Sequence, residues 1–228
     1  RGKITNKYLG SFGAKPKFYF PPNTALEMLA DVNLQIVIVE GEKKCLAMMR
    51  VATNDFTESP HFLPIALQGV NNIVEYHKNE KREMADFHSI EWHNRRVFII
   101  FDADKSEKYQ VALAEKKLAQ HLKTKGAKVF ICSMPKIANL TGIDDWLGFL
   151  EREHDTATAI KKCFELLEKS KEFEANKFYL PNDLMLDFAN GERGKAKLTV
   201  FRDNEILHID EIALTKSKDR ESFIDAIG

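Results

Sequence analysis

The residues best placed to do chemistry are two aspartates in FIIFDAD, residues 98–104, where an apolar run ends in Asp102 and Asp104. The apolar run has the composition of a strand buried in a sheet. In extended chain, side chains two positions apart point the same way, so we expect both carboxylates on one patch. Such close carboxylates repel each other, and a divalent cation such as Mg²⁺, which prefers oxygen ligands, relieves the repulsion.

A third carboxylate, Glu40, ends another apolar run, LQIVIVE at 34–40. Parallel strands present their carboxyl ends at one edge of a sheet, so Glu40 joins the aspartates if the two strands are neighbours. A structural role for the aspartates stays open. They could cap the turn and helix that follow, or pair with Lys105 and Arg96.

Strand and helix patterns alternate along the chain, which predicts parallel strands joined by helices in a three-layer α/β domain. The predicted strands are 34–40, 63–69, 96–104 and 127–135. The predicted helices are 42–53, 106–126 with Ser106 as N-cap, 144–153 and 156–170. The segment 70–96 is polar with scattered apolar residues, and we predict one or two surface helices plus loop there.

The last part of the chain has a different pattern. KLTVFRDNEILHIDEIAL at 197–214 contains two β-rich runs, with Asp203 and Asn204 at the predicted hairpin turn. A linker helix is predicted over 218–228. This segment therefore forms a small appendage to the α/β domain.

Composition excludes several classes of protein. The 228 residues are 44% hydrophobic and 30% charged with a net charge of zero, which indicates a globular chain and not a general polyanion binder. No apolar run approaches the roughly 18 residues of a membrane span, and no signal peptide opens the sequence, so we expect a cytoplasmic protein without membrane contact. Cys45, Cys132 and Cys163 are widely spaced in apolar patterns and are predicted to be reduced core residues.

Several short motifs, taken together, resemble the Toprim domain of primases, topoisomerases and certain nucleases. They are IVIVEGEKK, in which Glu-Gly follows a strand, VFIIFDAD, and GIDDWLG at 142–148, which resembles the third acidic element of primase Toprims. With KYLGSFGAKPKFYFPP and IALQGVNN in the same order, the chain most closely resembles the Toprim-containing primase-like replication proteins of plasmids, phages and integrative elements. The likeness spans about residues 7–150.

The resemblance implies a Rossmann-like Toprim fold with a mainly parallel four-stranded sheet and a small C-terminal α+β appendage. The implied units are an N-terminal extension packed on the core over 1–33, the Toprim domain over 34–170, and a β-hairpin appendage or linker over 171–228. It also implies a helicase-like ATPase domain in the full-length chain. The implied partners are single-stranded DNA or RNA and nucleoside triphosphates.

Carried onto this sequence, the resemblance implies catalytic roles for Glu40, Asp102 and Asp104. Glu40 is the implied general acid/base or metal ligand, and the aspartates hold Mg²⁺ or Mn²⁺. Asp144 or Asp145 adds a carboxylate from the far side. The residues with an implied phosphate or nucleic-acid contact are Gly41, Lys43, Lys44, Lys105, Gly69 and Asn71.

The implied activity is metal-dependent nucleotidyl or phosphoryl transfer on nucleic acid, as in primer extension. Two alternatives stay open: cleavage of DNA or RNA by the same residues, and a non-catalytic module for nucleic-acid binding or assembly. One departure bears on the metal. Many primase Toprims have an acidic residue where Lys44 stands, which puts their second metal site in doubt here.

Overall fold

The structure, a computed structural model, describes residues 16–69, 74–77, 80–103, 109–135, 137, 140–174, 177–179, 184–190, 196–202 and 205–212. The strands are β1 Phe18–Tyr19, β2 Gln35–Glu40, β3 Phe62–Leu67, β4 Val74–His77, β5 Glu80–Glu83, β6 Arg96–Ile100, β7 Lys128–Cys132, β8 Lys171–Glu172, β9 Lys177–Tyr179, β10 Leu184–Asn190, β11 Ala196–Arg202 and β12 Glu205–Ile212. The helices are α1 Leu26–Ala30, α2 Glu42–Ala52, α3 Tyr109–Thr124, α4 Ile143–Glu153 and α5 Thr156–Glu168, with a 3₁₀ helix, η1, at Ala85–Ser89.

The main sheet is mixed and has the strand order β1-β3-β2-β6-β7-β8. Its four inner strands are parallel, as predicted, and they form a Rossmann-like α/β arrangement. The short strands β1 and β8 pair antiparallel at the two edges, so the predicted four-stranded sheet is corrected to six strands. Two-residue strands are too short to leave a hydrophobic pattern, which is why the sequence did not predict them.

Helices cover both faces of this sheet and create two hydrophobic cores. Alternation along β2 directs Ile36 and Ile38 into one core, with α3 and η1, and Val37 and Val39 into the other, with α2, α4 and α5. These four side chains are fully buried. Burial on both faces explains why β2 is continuously apolar in sequence.

The predicted helices of the α/β region are present. Helix α3 is described from Tyr109 onward, so the predicted N-cap Ser106 lies outside the described residues. Gly126 follows α3 with a φ of 83°, a left-handed conformation suited to a helix C-terminus. The three cysteines are buried and are not disulfide-bonded, as expected.

The prediction for 70–96 was wrong. In place of surface helices, β4 and β5 form an antiparallel hairpin, and η1 follows it. Met84, Phe87, Ile90 and Trp92 are buried in the core on the α3 side of the sheet. Their irregular spacing fits neither a helix nor a strand, because the chain crosses the sheet face there in a 3₁₀ turn and extended segments.

The C-terminal strands form a separate antiparallel sheet in the order β12-β11-β10-β9, which is larger than the predicted single hairpin. The predicted hairpin is β11 and β12, where Arg202 pairs with Glu205 across the two predicted turn residues. Those turn residues and the predicted linker helix lie outside the described residues. Among the described helices, none has the length and apolar character needed to cross a membrane.

Candidate functional site at the carboxyl ends of β2 and β6

The candidate site lies where the order of the parallel strands reverses. From β2 the chain moves outward to β3 and then returns to β6 on the opposite side of β2. In open α/β sheets, ligands bind in the crevice beyond the carboxyl ends of the strands at such a reversal. Val39 and Ile100 are in register, so Glu40 and Asp102 follow neighbouring strand ends, as the sequence predicted.

Glu40 is the last residue of β2 and is half-buried. Its backbone is in register with Leu67 of β3, which fixes its position in the sheet. Alternation along β2 directs its side chain toward the same face as Ile36 and Ile38, the α3 side. The carboxylate is therefore held at the end of a rigid inner strand.

Gly41 makes the turn from β2 into α2. It has a φ of 84° and a ψ of 154°, a region that glycine alone adopts without strain. A Cβ built on Gly41 would meet no atom within 4 Å, so the backbone conformation, and not lack of space, requires glycine here. The first amides of α2 have no partner within the helix, and Gly41, its N-cap, has no side chain that could cap them.

Asp102 forms an ion pair with Lys44 in the first turns of α2. The Lys44 Nζ lies 2.6 Å from the Asp102 Oδ1, and the two side chains are 17% and 23% exposed. Of the alternatives raised by the sequence, Arg96 is excluded as the partner, because its guanidinium lies over the rings of Phe98 and Phe130. Pairing with Lys105 stays open, since that residue lies outside the described ones.

The N-terminus of α4 packs beside the ion pair between Lys44 and Asp102. Gly142 is the N-cap of α4, and the Ala103 N–H donates to the Thr141 carbonyl at 2.8 Å. A Cβ on Gly142 would fall 2.5 Å from the Lys44 Cε and would collide with the Asp144 Oδ1. The GIDDWLG segment is therefore beside Asp102, and the absence of a side chain at Gly142 gives Lys44 its path.

The two candidate acids of α4 differ in environment. Asp145 is exposed, and both carboxylates lie in the first turn, where the helix dipole favours negative charge. The Asp144 Oδ1 is buried, and it has no hydrogen-bond partner among the described residues. Asp144 is thus the acid of α4 with unused capacity to bind a cation.

The expected convergence of the three carboxylates stays a prediction. Strand β6 ends at Ile100 and Ala103 lies in a 3₁₀ turn, so Asp102 lies beyond the part of the chain to which strand alternation applies. Its carboxylate contacts Lys44 of α2, whereas alternation along β2 predicts that the Glu40 side chain lies on the α3 side. Asp104 lies outside the described residues.

The other residues predicted to contact phosphate or nucleic acid are Lys43, Gly69 and Asn71. Lys43 is exposed in the first turn of α2, where its charge and the free amides suit a phosphate. Gly69 follows β3 with a φ of 103°. Asn71 lies outside the described residues. Cys45 of α2 is poorly suited to act as a nucleophile, because burial and the charge of Glu42 raise the pKa of its thiol to about 12.

The carboxylate oxygens at this site are of the kind that a hard cation such as Mg²⁺ prefers. Asp102 pairs with Lys44, Asp144 lies beside the same lysine at Gly142, and Mg²⁺ commonly uses only one or two protein carboxylates. Among the described residues, no group of three or more His, Cys, Asp and Glu side chains is arranged around a metal position. A complication is that the Lys44 ammonium already neutralises Asp102.

Comparison with known families gives one match. The family described as a domain of unknown function, DUF3854, matches residues 26–154, more than half of the 228 residues. The chain belongs to this family. No curated protein and no solved structure matches the chain.

The DUF3854 region includes Glu40, Lys44, Asp102, Gly142 and both acids of α4. Sequence reasoning identified the acids but missed the pairing of Lys44 with Asp102 and the role of Gly142. The pairing of Lys44 could have been suspected, because Lys44 lies in the first turn of a helix that starts at a strand end. The contact of Gly142 with Lys44 could not, because it depends on how α4 packs against α2.

Proposed function

We propose that this chain carries a Toprim-type site for Mg²⁺- or Mn²⁺-dependent nucleotidyl or phosphoryl transfer on nucleic acid. In this proposal it is the primase-like domain of a mobile-element replication protein. The observation that carries the proposal is the position of Glu40 and Asp102 at adjacent parallel strand ends, where the strand order reverses. The approach of the GIDDWLG segment to Asp102 gives further support.

The proposal assigns phosphate binding, proton transfer and metal binding to different residues of the chain. The free amides of α2 and the exposed Lys43 bind a substrate phosphate beyond Gly41. Glu40, at the rim of the same crevice, accepts or donates a proton on the attacking or leaving oxygen. Asp102 would hold a Mg²⁺ ion, with Asp104 and Asp144 as further ligands, and the ion would neutralise phosphate charge.

Cleavage by the same residues is the second enzymatic possibility, since both reactions need a metal, a phosphate site and a proton acceptor. A non-catalytic binding module is the third candidate, and the Lys44–Asp102 ion pair favours it. That pair removes negative charge from the crevice without any metal, which suits a polyanion. Under this alternative the acids shape the pocket and do no chemistry.

One assay separates the three candidates. The purified full-length protein is incubated with labelled nucleoside triphosphates and single-stranded template in one tube and with labelled DNA or RNA in another, each with Mg²⁺ or Mn²⁺. Primer extension supports the proposal, fragments indicate a nuclease, and tight binding without turnover supports the binding module. Asp102→Asn is the matched variant, because it keeps the shape of the side chain and removes its charge.

The same assay can overturn the proposal. If the protein neither extends nor cleaves with either metal, the enzymatic proposal fails. It fails also if Asp102→Asn retains full activity, because the activity would then come from another part of the chain. Exposed Asp145→Asn is the control for a general change in charge.

A further inference from the structure

The ion pair between Lys44 and Asp102 places a cation at the carboxylate that the proposed function assigns to a metal. The nitrogen-to-oxygen distance of 2.6 Å is that of a strong charge-assisted hydrogen bond. Both side chains are largely removed from solvent, so this attraction is screened less than that of a surface pair. The ammonium thus occupies a bonding direction of the Asp102 Oδ1.

The surrounding structure holds Lys44 in this position. Its side chain passes the N-cap of α4 at a point where Gly142 leaves room, as the 2.5 Å approach of a hypothetical Cβ to Lys44 Cε indicates. Gly142 has a φ of −100° and a ψ of 161°, a conformation open to any residue. The backbone therefore does not require glycine at this position, whereas the side chains of Lys44 and Asp144 beside it do.

A metal ion and this ammonium compete for the same place. Mg²⁺ binds oxygen at roughly 2.0–2.1 Å and Mn²⁺ has similar preferences, so an ion on Asp102 Oδ1 would lie against the Lys44 Nζ. Two cations at such a separation repel strongly in a partly buried site. Asp144, whose buried Oδ1 has no partner among the described residues, adjoins the same lysine and is available to the incoming ion.

We propose that Lys44 is the resident cation of this crevice and that a divalent metal ion binds Asp102 only by displacing it. The displaced ammonium, on the first turns of α2, is then free to bind the substrate phosphate. This inference rests on the proposed function for the identity of the metal and substrate. It makes Lys44 a positioning residue that couples metal entry to phosphate binding.

Mn²⁺ binding to the full-length protein, measured by electron paramagnetic resonance of the free ion, tests this exchange. Lys44→Gln removes the competing charge and keeps much of the side chain, so we expect the Kd for Mn²⁺ to fall by about tenfold or more. Lys43→Gln removes a charge from the same turn but from an exposed side chain, and we expect a change of less than about threefold. The inference is wrong if Lys44→Gln binds Mn²⁺ no more tightly than the parent.

Two further variants keep the test sound if Lys44→Gln folds poorly. Lys44→Met removes the charge and keeps an unbranched side chain, so it is expected to tighten Mn²⁺ binding as well. Lys44→Arg keeps a cation and is expected to keep the weak affinity of the parent. Equal Mn²⁺ affinities of Lys44→Met and Lys44→Arg would contradict the exchange.

A double variant tests whether Lys44 affects Mn²⁺ binding through Asp102. In an Asp102→Asn background, Lys44→Gln no longer relieves a competition, so its effect on the Kd for Mn²⁺ should shrink to less than about twofold. An undiminished effect would mean that Lys44 acts through some other group, and the inference would fail. Circular dichroism of each variant checks that folding is retained.

Failure of this inference is distinguishable from failure of the proposed function. If Lys44→Gln changes the Kd for Mn²⁺ but the protein shows no transfer or cleavage, the exchange is supported and the enzymatic proposal is wrong. If the protein shows transfer activity but Lys44→Gln leaves the Kd for Mn²⁺ unchanged, the enzymatic proposal is supported and the exchange is wrong.

Discussion

The backbone N–H of Gly41 donates a hydrogen bond to the carbonyl of Leu67 at 3.0 Å, which fastens the turn after β2 to the neighbouring strand. The turn is therefore held at both of its sides, by β2 and by β3. Its positive φ is part of this arrangement and fixes where α2 begins. The free amides of α2 and the carboxylate of Glu40 depend on this one peptide geometry.

A substitution at Gly41 tests how firmly the turn is constrained. Gly41→Ala should destabilise the protein by about 1–3 kcal/mol, because alanine is strained in this conformation even though its Cβ meets open space. Gly148→Ala is the control, since Gly148 lies inside α4 and a Cβ there makes ordinary contact with Arg152 at 3.5 Å. This control should gain about 0.5–1 kcal/mol of stability from helix propensity. Urea unfolding of both variants gives the comparison, and equal effects would contradict the strain argument.

The buried Arg95 gives a second prediction. Its Nη1 donates to the Leu29 carbonyl at 2.7 Å, its Nη2 to Met28 at 2.7 Å, and its Nε to Leu34 at 2.7 Å. The side chain is fully buried, and burial lowers the pKa of the guanidinium to about 10, so it stays charged at neutral pH. Its Nη1 also donates to the Glu91 carbonyl at 3.3 Å, so the guanidinium joins α1, the start of β2 and the segment before β6.

Arg95→Met should therefore destabilise the protein by about 3 kcal/mol or more, because it removes all the hydrogen bonds that the buried guanidinium donates to main-chain carbonyls. Arg95→Lys should rescue little, since an ammonium cannot reproduce the planar fork. The neighbouring Arg96→Met is the matched control. Arg96 is exposed over two aromatic rings, and its loss should cost less than about 1 kcal/mol. Thermal or urea unfolding measures all three, and a mild effect at Arg95 would show that water replaces its bonds.

The parallel core of the fold was predictable from sequence, because strands buried on both faces, such as Gln35–Glu40, are continuously apolar and bounded by helix patterns. The β4–β5 hairpin was not, since its strands, Val74–His77 and Glu80–Glu83, are mostly polar. Arg95 was missed for a related reason. Its hydrogen bonds go to main-chain carbonyls, which every residue carries, so the sequence does not indicate them.

The candidate site was predictable to the level of strand ends and no further. The positions of Glu40 and Asp102 followed from where apolar runs stop. The partner of Asp102 did not, because Lys44 reaches it only through the packing of α2 against α4 beside Gly142. Side-chain direction beyond the end of a strand depends on the turn that follows, which sequence alternation does not describe.

A charged cluster on the α3 side predicts a response to acid. Glu83 pairs with Lys125 at 2.7 Å and with His88 at 2.9 Å, and His121 also contacts it. Burial alone would raise the pKa of Glu83, but the hydrogen bond from Lys125 and the charges of His121 and Lys125 lower it overall. A carboxyl whose folded pKa is lowered stabilises the fold above its unfolded pKa, and that contribution is lost as the pH falls through the folded value.

We therefore expect the free energy of unfolding to decrease as the pH falls below the ordinary glutamate value of 4.5, in part through Glu83. Glu83→Gln should lose stability at pH 7 and show a shallower decrease in acid. Glu172→Gln removes the carboxylate of a more exposed pair with Lys123 and serves as the control. Urea titrations between pH 3 and pH 7, values chosen to span the roughly 4.3 pKa of unfolded glutamate, measure the slopes. Parallel slopes for the parent and Glu83→Gln would exclude Glu83 as a source of the acid response.

The final prediction separates chemistry from folding at Glu40. Glu40→Gln keeps the shape and hydrogen-bonding capacity of the side chain but removes its proton transfer and one negative charge. If Glu40 is the general acid/base, activity should fall by about 10²-fold or more. The melting temperature should stay near that of the parent, because glutamine keeps the shape and the hydrogen-bonding capacity of the side chain. Glu42→Gln is the matched control, since Glu42 is exposed two residues away and should tolerate the change in both measurements.

The two readouts give different results for each role of Glu40. A nucleic-acid binding module has no activity to lose, and its affinity for single-stranded DNA should hold or rise as the negative charge is reduced. A structural Glu40 would lower the melting temperature by several degrees, since a loss of about 1 kcal/mol shifts the midpoint of a chain of this length by about 2–4 °C. That result would remove Glu40 from the catalytic residues. Asp102 would then carry the enzymatic proposal alone, and because Lys44 already neutralises Asp102, the binding module would become the better account of the site.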